Sequence, residues 1–473
     1  MRPHLLALGT LALAAGAAAF WFNHRSGKTA APTVTVSAPA APSAIPAELS
    51  ALLASLEKSS AGADTTIAAP PTPLDRELSR TLRAIRARPE SADAWLRLGD
   101  ALTQRSRDTL DFSLYSAIEK IYLHARRLDP QAADALAGLA WAAGACHRFD
   151  DSVAWAALAL KADPDLPAAH GILGDAAVEL GRHAEAERHY QRMLDLRPDL
   201  GSYSRAAHLL YLQGNATRAL ALMRQALRAG GENPEHTAWC VAQLAAMLCR
   251  EGAARAAHQL VATLLARAPN NPLLLAASGQ THAALGDTDA ALAAYEESRK
   301  RAPQHTTLAA LHDLHLAAGR LDDAARMAAE VEKLHAALRS QKIHGGEGQL
   351  ARFYADRAEK LEEAIRLAEF EQAHHQTVFT ADTLAWAYFR AGRIDDAAKL
   401  LPAMLGHRAP DPAILYHAGL IEEARGQRVA AQRHLYAALS RDPRFNPVHA
   451  PRAAVALQRL GGAPMETRVA AAE

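Results

Sequence analysis

Histidine is the side chain through which this sequence could most readily do chemistry, and it occurs 22 times. His312 and His315 are three apart, on one face of a helix, with His305 nearby, and His374-His375 stand together further on. A metal site needs more than this: carboxylate, imidazole or thiolate ligands at spacings that converge on one ion. No His-Glu-x-x-His, Cys-x-x-Cys or Gly-x-Ser-x-Gly stretch occurs, so no zinc-hydrolase helix, dithiol centre or nucleophile elbow is spelled out. Gly27-Lys28-Thr29 resembles the end of a phosphate-binding loop, but Phe22 stands where its first glycine belongs and an apolar run precedes it. The glycines of residues 345–348 lack a following Lys-Ser or Lys-Thr. Of the three cysteines, Cys146 has no evident partner. Cys240 and Cys249 would lie about 13 Å apart on one helix, beyond disulfide reach. The expectation is a chain with no catalytic residue, no metal ligand set and no cofactor.

The elements that position these side chains follow a beat. A glycine is followed five residues later by an alanine at Gly181/Ala186, Gly214/Ala219, Gly252/Ala257, Gly286/Ala291, Gly319/Ala324, Gly392/Ala397 and Gly426/Ala431. Pro130, Pro164 and Pro198 are 34 apart, as are Pro269 and Pro303. In the unit from Ala168 to Pro198, His170, Leu173, Gly174 and Ala177 fall on one helical face. Gly181 then ends that helix in a left-handed cap. Ala186, Tyr190 and Met193 make the face of a second helix, and Pro198 stops it, because proline lacks the N–H and disfavours helix just before itself. A fixed period of this length marks stacked helix hairpins, each burying its apolar face only against its neighbours.

The pattern resembles the tetratricopeptide repeat, a 34-residue unit that places Trp, Leu-Gly, Tyr, Ala and Pro at set positions. Trp95, Leu98, Gly99, Leu102, Tyr122, Ala125 and Pro130 follow that order, with seven extra residues near Gln104 to Leu114. Asp382 to Tyr388, leading to Gly392, is also typical of such repeats. The resemblance implies an all-α fold: a right-handed α-α superhelix, or solenoid, of about ten helix hairpins plus a C-terminal capping helix. The array is expected over 92–443, irregular near 336–376 where one second helix runs on and the next unit lacks its turn glycine. A capping helix should precede it over 74–91, and a capping helix and tail follow over 444–473.

In such superhelices the first helix of each unit lines a concave groove. Counting from the turn glycines puts Trp141, His208, Tyr211, Trp239, Trp386, Phe389, Arg390 and Tyr416 on that surface, with Asp100, Asp175, Glu179, Asp313 and Asp356 beside them. A role for these aromatics in packing between neighbouring helices stands beside the groove reading. Family members that clamp a C-terminal carboxylate use several Lys, Asn and Arg there, which this chain does not match. The surface reads instead as aromatic and acidic, suited to a partner peptide with apolar anchors and some positive charge. Trp141, Tyr211, Trp239, Trp386, Phe389, Arg390 and Tyr416 are the candidate peptide-binding residues.

Leu5 to Phe22 is an unbroken run of 18 apolar and small residues. That is just enough to span a bilayer as an anchor, and Ala17-Ala18-Ala19 also resembles a signal-peptidase site. Residues 1–25 are therefore expected to be a signal anchor or signal peptide. The repeat array would then lie on the outer (periplasmic or extracytoplasmic) side of a membrane, or be soluble after cleavage. Residues 26–73, rich in Ala, Pro, Ser and Thr, read as a disordered linker. Leu49, Leu52, Leu53 and Leu56 within it have amphipathic spacing, expected to form a transient, undocked helix, the alternative being one that docks onto a partner or onto the protein's own groove. A net charge of +1 gives no field for nucleic acid. The function expected is a non-enzymatic protein–protein scaffold or adaptor. The alternative is an accessory subunit or enzyme with a ligand or metal site built across repeats.

Overall fold

A computed structural model describes residues 45–61, 72–231, 234–340, 346–374, 377–406 and 411–461. Among these residues all regular structure is helical, with twenty-four α-helices, one short 3-10 helix and no strand. The chain forms two compact units, the first reaching Ala176 and the second beginning at Ala177. Consecutive helices pair as hairpins and stack on their sequence neighbours, so local patterning suffices to specify most of the packing.

The glycine–proline beat falls where the hairpin reading requires. Gly181, Gly214, Gly252, Gly286, Gly319, Gly392 and Gly426 all have positive φ, from 68° to 86°. The alanines five residues on, from Ala186 to Ala431, are all buried. Asp129, Asp163, Arg197, Ala302 and Asp442, each just before a proline, are the extended residues that end second helices. Glycine also makes room inside the hairpins. A Cβ on Gly279 would stand 2.6 Å from the Tyr295 ring, and one on Gly99 would stand 2.6 Å from Tyr122.

Gly286 offers a direct check of this register. Its φ of 86° is strained for any β-branched residue, and a new Cβ would meet Arg444 Nε at 3.1 Å. Gly286→Val is therefore expected to destabilise the second unit by about 1 kcal/mol or more. An unchanged thermal midpoint would contradict the assignment.

Where the pattern is irregular the chain finds other solutions. In the first hairpin Ala92–Thr109 is a long helix ending at left-handed Leu110, and a 3-10 turn at Phe112–Leu114 absorbs the extra residues. Leu321–Ser340 runs on for 20 residues, and the short Glu347–Arg357 helix that follows is closed by Ala358 at φ 54° in place of glycine. Pro402 interrupts one second helix, leaving Ile394–Lys399 and Leu401–Leu405. All three cysteines are free and buried.

The N-terminal part departs from expectation in one respect. Leu49, Leu52, Leu53 and Leu56 do form a helix, Ala47–Ala61, but it is docked rather than transient. Leu49 and Leu53 are buried, Glu57 pairs with Arg86, and Glu48 lies 3.4 Å from Lys120. Leucines spaced along one face gain more against the neighbouring hairpin than in water. The next helix, Pro73–Ala87, opens with a capping box between Thr72 and Asp75. The apolar run Leu5–Phe22 lies outside the described residues. Among the described residues no helix is long and apolar enough to cross a membrane.

Within the second unit, late helices return to earlier ones. Arg250 Nε meets Asp411 Oδ2 at 2.7 Å, and Asn446 Nδ2 donates to Asp313 Oδ2 at 2.7 Å. The carbonyl of Arg441 would stand 3.2 Å from a Cβ on Gly252. An open concave groove is the sequence expectation. In the second unit the inner surface is instead walled by contacts between residues far apart in the chain.

Candidate functional site

Those contacts border a cavity of about 420 Å³ that is open to solvent on one side. Its walls come from the first helices of successive hairpins: Trp239, Gln243 and Arg250 from Pro234–Arg250, Gln280 from Pro272–Leu285, and Asp313 from His305–Ala317. Gly348, Arg352 and Asp356 come from Glu347–Arg357, and Thr380 and Asp382 from Val378–Arg390. Asp442 and residues 444–447 complete the rim. A hairpin repeat thus brings one inner face per unit to a common space, although no two walls are close in sequence.

One wall is a continuous polar network. Arg352 Nε donates to both oxygens of Asp356 at 3.2 Å, and its Nη1 donates to Asp382 Oδ2 at 2.6 Å. Its Nη2 lies 3.2 Å from His417 Nε2. A guanidinium can only donate, so Nε2 accepts and the His417 proton sits on Nδ1, which donates to Asp382 Oδ1 at 2.8 Å. Trp386 Nε1 donates to Asp356 Oδ1 at 2.7 Å, and Arg390 Nη1 donates to the Asp356 carbonyl at 2.9 Å. His449 Nε2 lies 3.8 Å from Asp356 Oδ1.

The charges follow from this arrangement. Burial alone would push the Asp382 carboxyl up, but His417 and Arg352 outweigh it and hold it below its ordinary value. Burial also works against the Asp356 carboxylate, and Arg352 and the two histidines overcome it. Arg352 is held charged despite its burial by both carboxylates. His417 is lowered by burial, and His449 is lowered by burial to about 4. The network is one fixed cation between two carboxylates, with imidazoles around them whose protonation burial disfavours and the carboxylates favour.

Asp356, His417 and His449 form, among the described residues, the one group whose ligand atoms converge, within 4.8 Å of one another. The donor set does not suit a metal ion. Both His417 nitrogens are committed, to Asp382 and to Arg352. An ion there would also lie against the guanidinium, which already supplies the positive charge.

The seven candidate peptide-binding residues separate. Trp239 lines the cavity. Trp386, Phe389, Arg390 and Tyr416 come together in one cluster: Trp386 stacks on His417 at 4.0 Å and on Phe389 at 5.2 Å. Arg390 covers the Trp386 ring at 5.1 Å, and Tyr416 lies 5.9 Å from it. Trp386 is only 1% exposed and Tyr416 2%. The expectation of an open anchor pocket at these two rings is corrected accordingly: they are spent on packing between hairpins, and Phe389 and Arg390 are half-buried beside them. Tyr211 donates to Glu251 at 3.3 Å. In the first unit, Trp141 is buried edge-on to Tyr115 with Arg107 over its face. Asp100 there accepts from the Tyr122 hydroxyl at 2.8 Å. His208 is buried and held neutral by that burial, at about 3. Of the acidic candidates, Asp313 and Asp356 do line the cavity. Arg352, His417 and His449 were not singled out from the sequence, and Asp382 only as part of a repeat-like stretch. Their signal is polar character at inner-helix positions about one repeat apart.

Tandem helix hairpins with left-handed glycine turns and a shared inner surface define an all-α repeat protein. The tetratricopeptide-repeat profile matches residues 80–123, 139–201 and 173–234, and the chain carries tetratricopeptide repeats. Among solved structures, PilW, a widely conserved type IV pilus biogenesis factor, is 16% identical, with 43% of this chain and 93% of that chain covered and a TM-score of 0.37. PilF of Pseudomonas aeruginosa is 20% identical, with 47% and 96% covered and a TM-score of 0.34. The human IFIT1 dimer with m7Gppp-AAAA is 14% identical, with 70% and 76% covered and a TM-score of 0.45. Likenesses of this size carry no statement about activity. No curated protein sequence matches the chain.

Proposed function

We propose that this protein is a non-enzymatic interaction scaffold, tethered to or exported across a membrane, whose second unit receives a partner polypeptide segment at its inner surface. The observation that carries this reading is the cavity itself, about 420 Å³ and built mainly from the inner helices of successive hairpins. Its chemistry favours binding over catalysis. Arg352, Asp356, Asp382 and His417 are engaged by hydrogen bonds to one another and to Trp386, which holds walls in place. Arg250 is likewise engaged by Asp411. Carboxylates outnumber arginines along the lining, which suits a segment carrying positive charge. The membrane element of the proposal rests on Leu5–Phe22, with the repeats on the outer side.

A photo-reactive amino acid placed at Gln280, on the cavity wall, tests the scaffold in native membranes. The expected result is a cross-link to a defined polypeptide at stoichiometric yield. A retained small molecule or metal in native mass spectrometry, with no cross-linked polypeptide, would favour an accessory subunit or enzyme instead. Fractionation should place the protein in the membrane pellet, released by detergent and not by carbonate. A soluble protein whose mature N-terminus begins near Phe20 would remove the anchor.

A further inference from the structure

Among the described residues of the cavity lining, two buried side-chain oxygens lack a hydrogen-bond partner, Thr307 Oγ1 and Glu371 Oε2, and of the two only Glu371 is ionisable. Glu371, on Leu361–His374, lines the cavity at 3% exposure, and its Oε2 makes no hydrogen bond. Space for that carboxyl exists only because residue 348 is glycine: a Cβ there would lie 1.5 Å from Oε2 and 2.5 Å from Oε1. Gly348 stands in the first turn of Glu347–Arg357, where the helix end favours negative charge. The other charged groups acting on Glu371 are carboxylates, Glu347 and Glu179, and they and burial push its acidity the same way, well above the ordinary range. The arginines of the lining do not relieve it. Arg352 is held by Asp356 and Asp382, and Arg250 by Asp411. An unpaired buried carboxyl costs free energy that the protein does not recover by itself.

We propose that Glu371 is the counter-ion of a ligand cation bound in this cavity, an alkylammonium or alkylguanidinium group of the lysine or arginine kind, presented by a partner polypeptide. The cation supplies the donors that Oε2 lacks, and the aliphatic stem runs along the apolar lining of Ala276, Ala309 and Ala310. Gly348 is then the residue that lets the carboxyl face the ligand. Binding converts a neutral buried acid into an ion pair, so the acid proton leaves to solvent as the cation enters. This rests on the scaffold reading and names the chemistry of the segment received.

Calorimetric titration of the full chain with n-butylammonium, n-butylguanidinium and n-butanol tests it. Both cations are expected to bind more tightly than the alcohol by about ten-fold or more, the two cation arms showing which head group is preferred. In Glu371→Gln, which keeps the side-chain volume, the discrimination should fall to within about two-fold with the thermal midpoint retained. Equal binding of cations and butanol, or unchanged discrimination in E371Q, would overturn the inference. If E371Q does not fold, proton release decides: binding heats of the wild type should depend on the ionisation enthalpy of the buffer, and buffer-independent heats overturn the proposal. A polypeptide cross-linked at Gln280 without cation discrimination sinks this inference alone. Cation binding without any cross-linked polypeptide sinks the scaffold reading and the polypeptide source with it.

Discussion

Asp382→Ala is expected to cost the second unit about 3–5 kcal/mol, the usual result of removing one member of a buried ion-paired set. Asp382 is 2% exposed and serves two partners at once, Arg352 Nη1 at 2.6 Å and His417 Nδ1 at 2.8 Å. Alanine leaves the guanidinium with Asp356 as its one carboxylate partner beside His417 Nε2, and leaves the imidazole N–H with no acceptor. Truncation therefore exposes the desolvation cost of both partners, where exposed ion pairs such as Lys399–Asp396 would lose little. A repeat array need not unfold in one step, so hydrogen exchange is the better reporter. Protection should fall together in Glu347–Arg357, Val378–Arg390 and Pro412–Ala424, the three helices that the network joins. Asp382→Asn should fall between the two, since its carbonyl can still accept from His417 while the charge opposite Arg352 is gone. Unchanged exchange in all three helices with Asp382→Ala would mean that the network does not hold them.

The hairpins were legible in the sequence because the features that make them are local. A left-handed turn needs glycine, a ring such as Tyr295 needs Gly279 opposite it, and proline ends a helix wherever it stands. The inner faces were legible in kind, and Trp239, Asp313 and Asp356 do reach the cavity. The site's own logic was not legible. Arg352 and Asp382 are 30 apart, and Asp382 and His417 are 35 apart. Those intervals scatter around one repeat and carry no motif. They become one network only when three hairpins are stacked in register. Closure is more remote still: Asp313 meets Asn446 across 133 positions, a pairing with no local cause. Glu371 shows the same limit. Nothing on its own helix marks it out, and it is the glycine on a neighbouring helix that leaves room for its carboxyl. The docked Ala47–Ala61 helix differs in origin: its amphipathic spacing was plain, but its partner surface was not.

The largest side-chain effect should come from Trp386. Sequence spacing put Trp386 and Phe389 on a groove face, from which their removal would abolish partner capture and spare folding. Burial inverts that ranking for the tryptophan. Its ring lies between His417 at 4.0 Å and Phe389 at 5.2 Å, and its Nε1 donates to Asp356. Trp386→Ala should therefore cost about 3–5 kcal/mol through the cavity it leaves. The lost donor also leaves Asp356 more dependent on Arg352. Trp386→Phe separates these contributions, retaining most of the ring contact while losing the charge-assisted hydrogen bond, at about 1.5–3 kcal/mol. Phe389→Ala should cost less than either alanine truncation in the network, because that ring is only partly buried and its loss opens a surface hollow in place of a sealed cavity. Denaturant midpoints for the three variants should rank in that order, with Trp386→Ala lowest. Any loss of partner capture by Trp386→Ala should then track the unfolded fraction and recover at temperatures where the variant is folded. Capture that stays lost in fully folded Trp386→Ala would show that the ring contacts the partner directly.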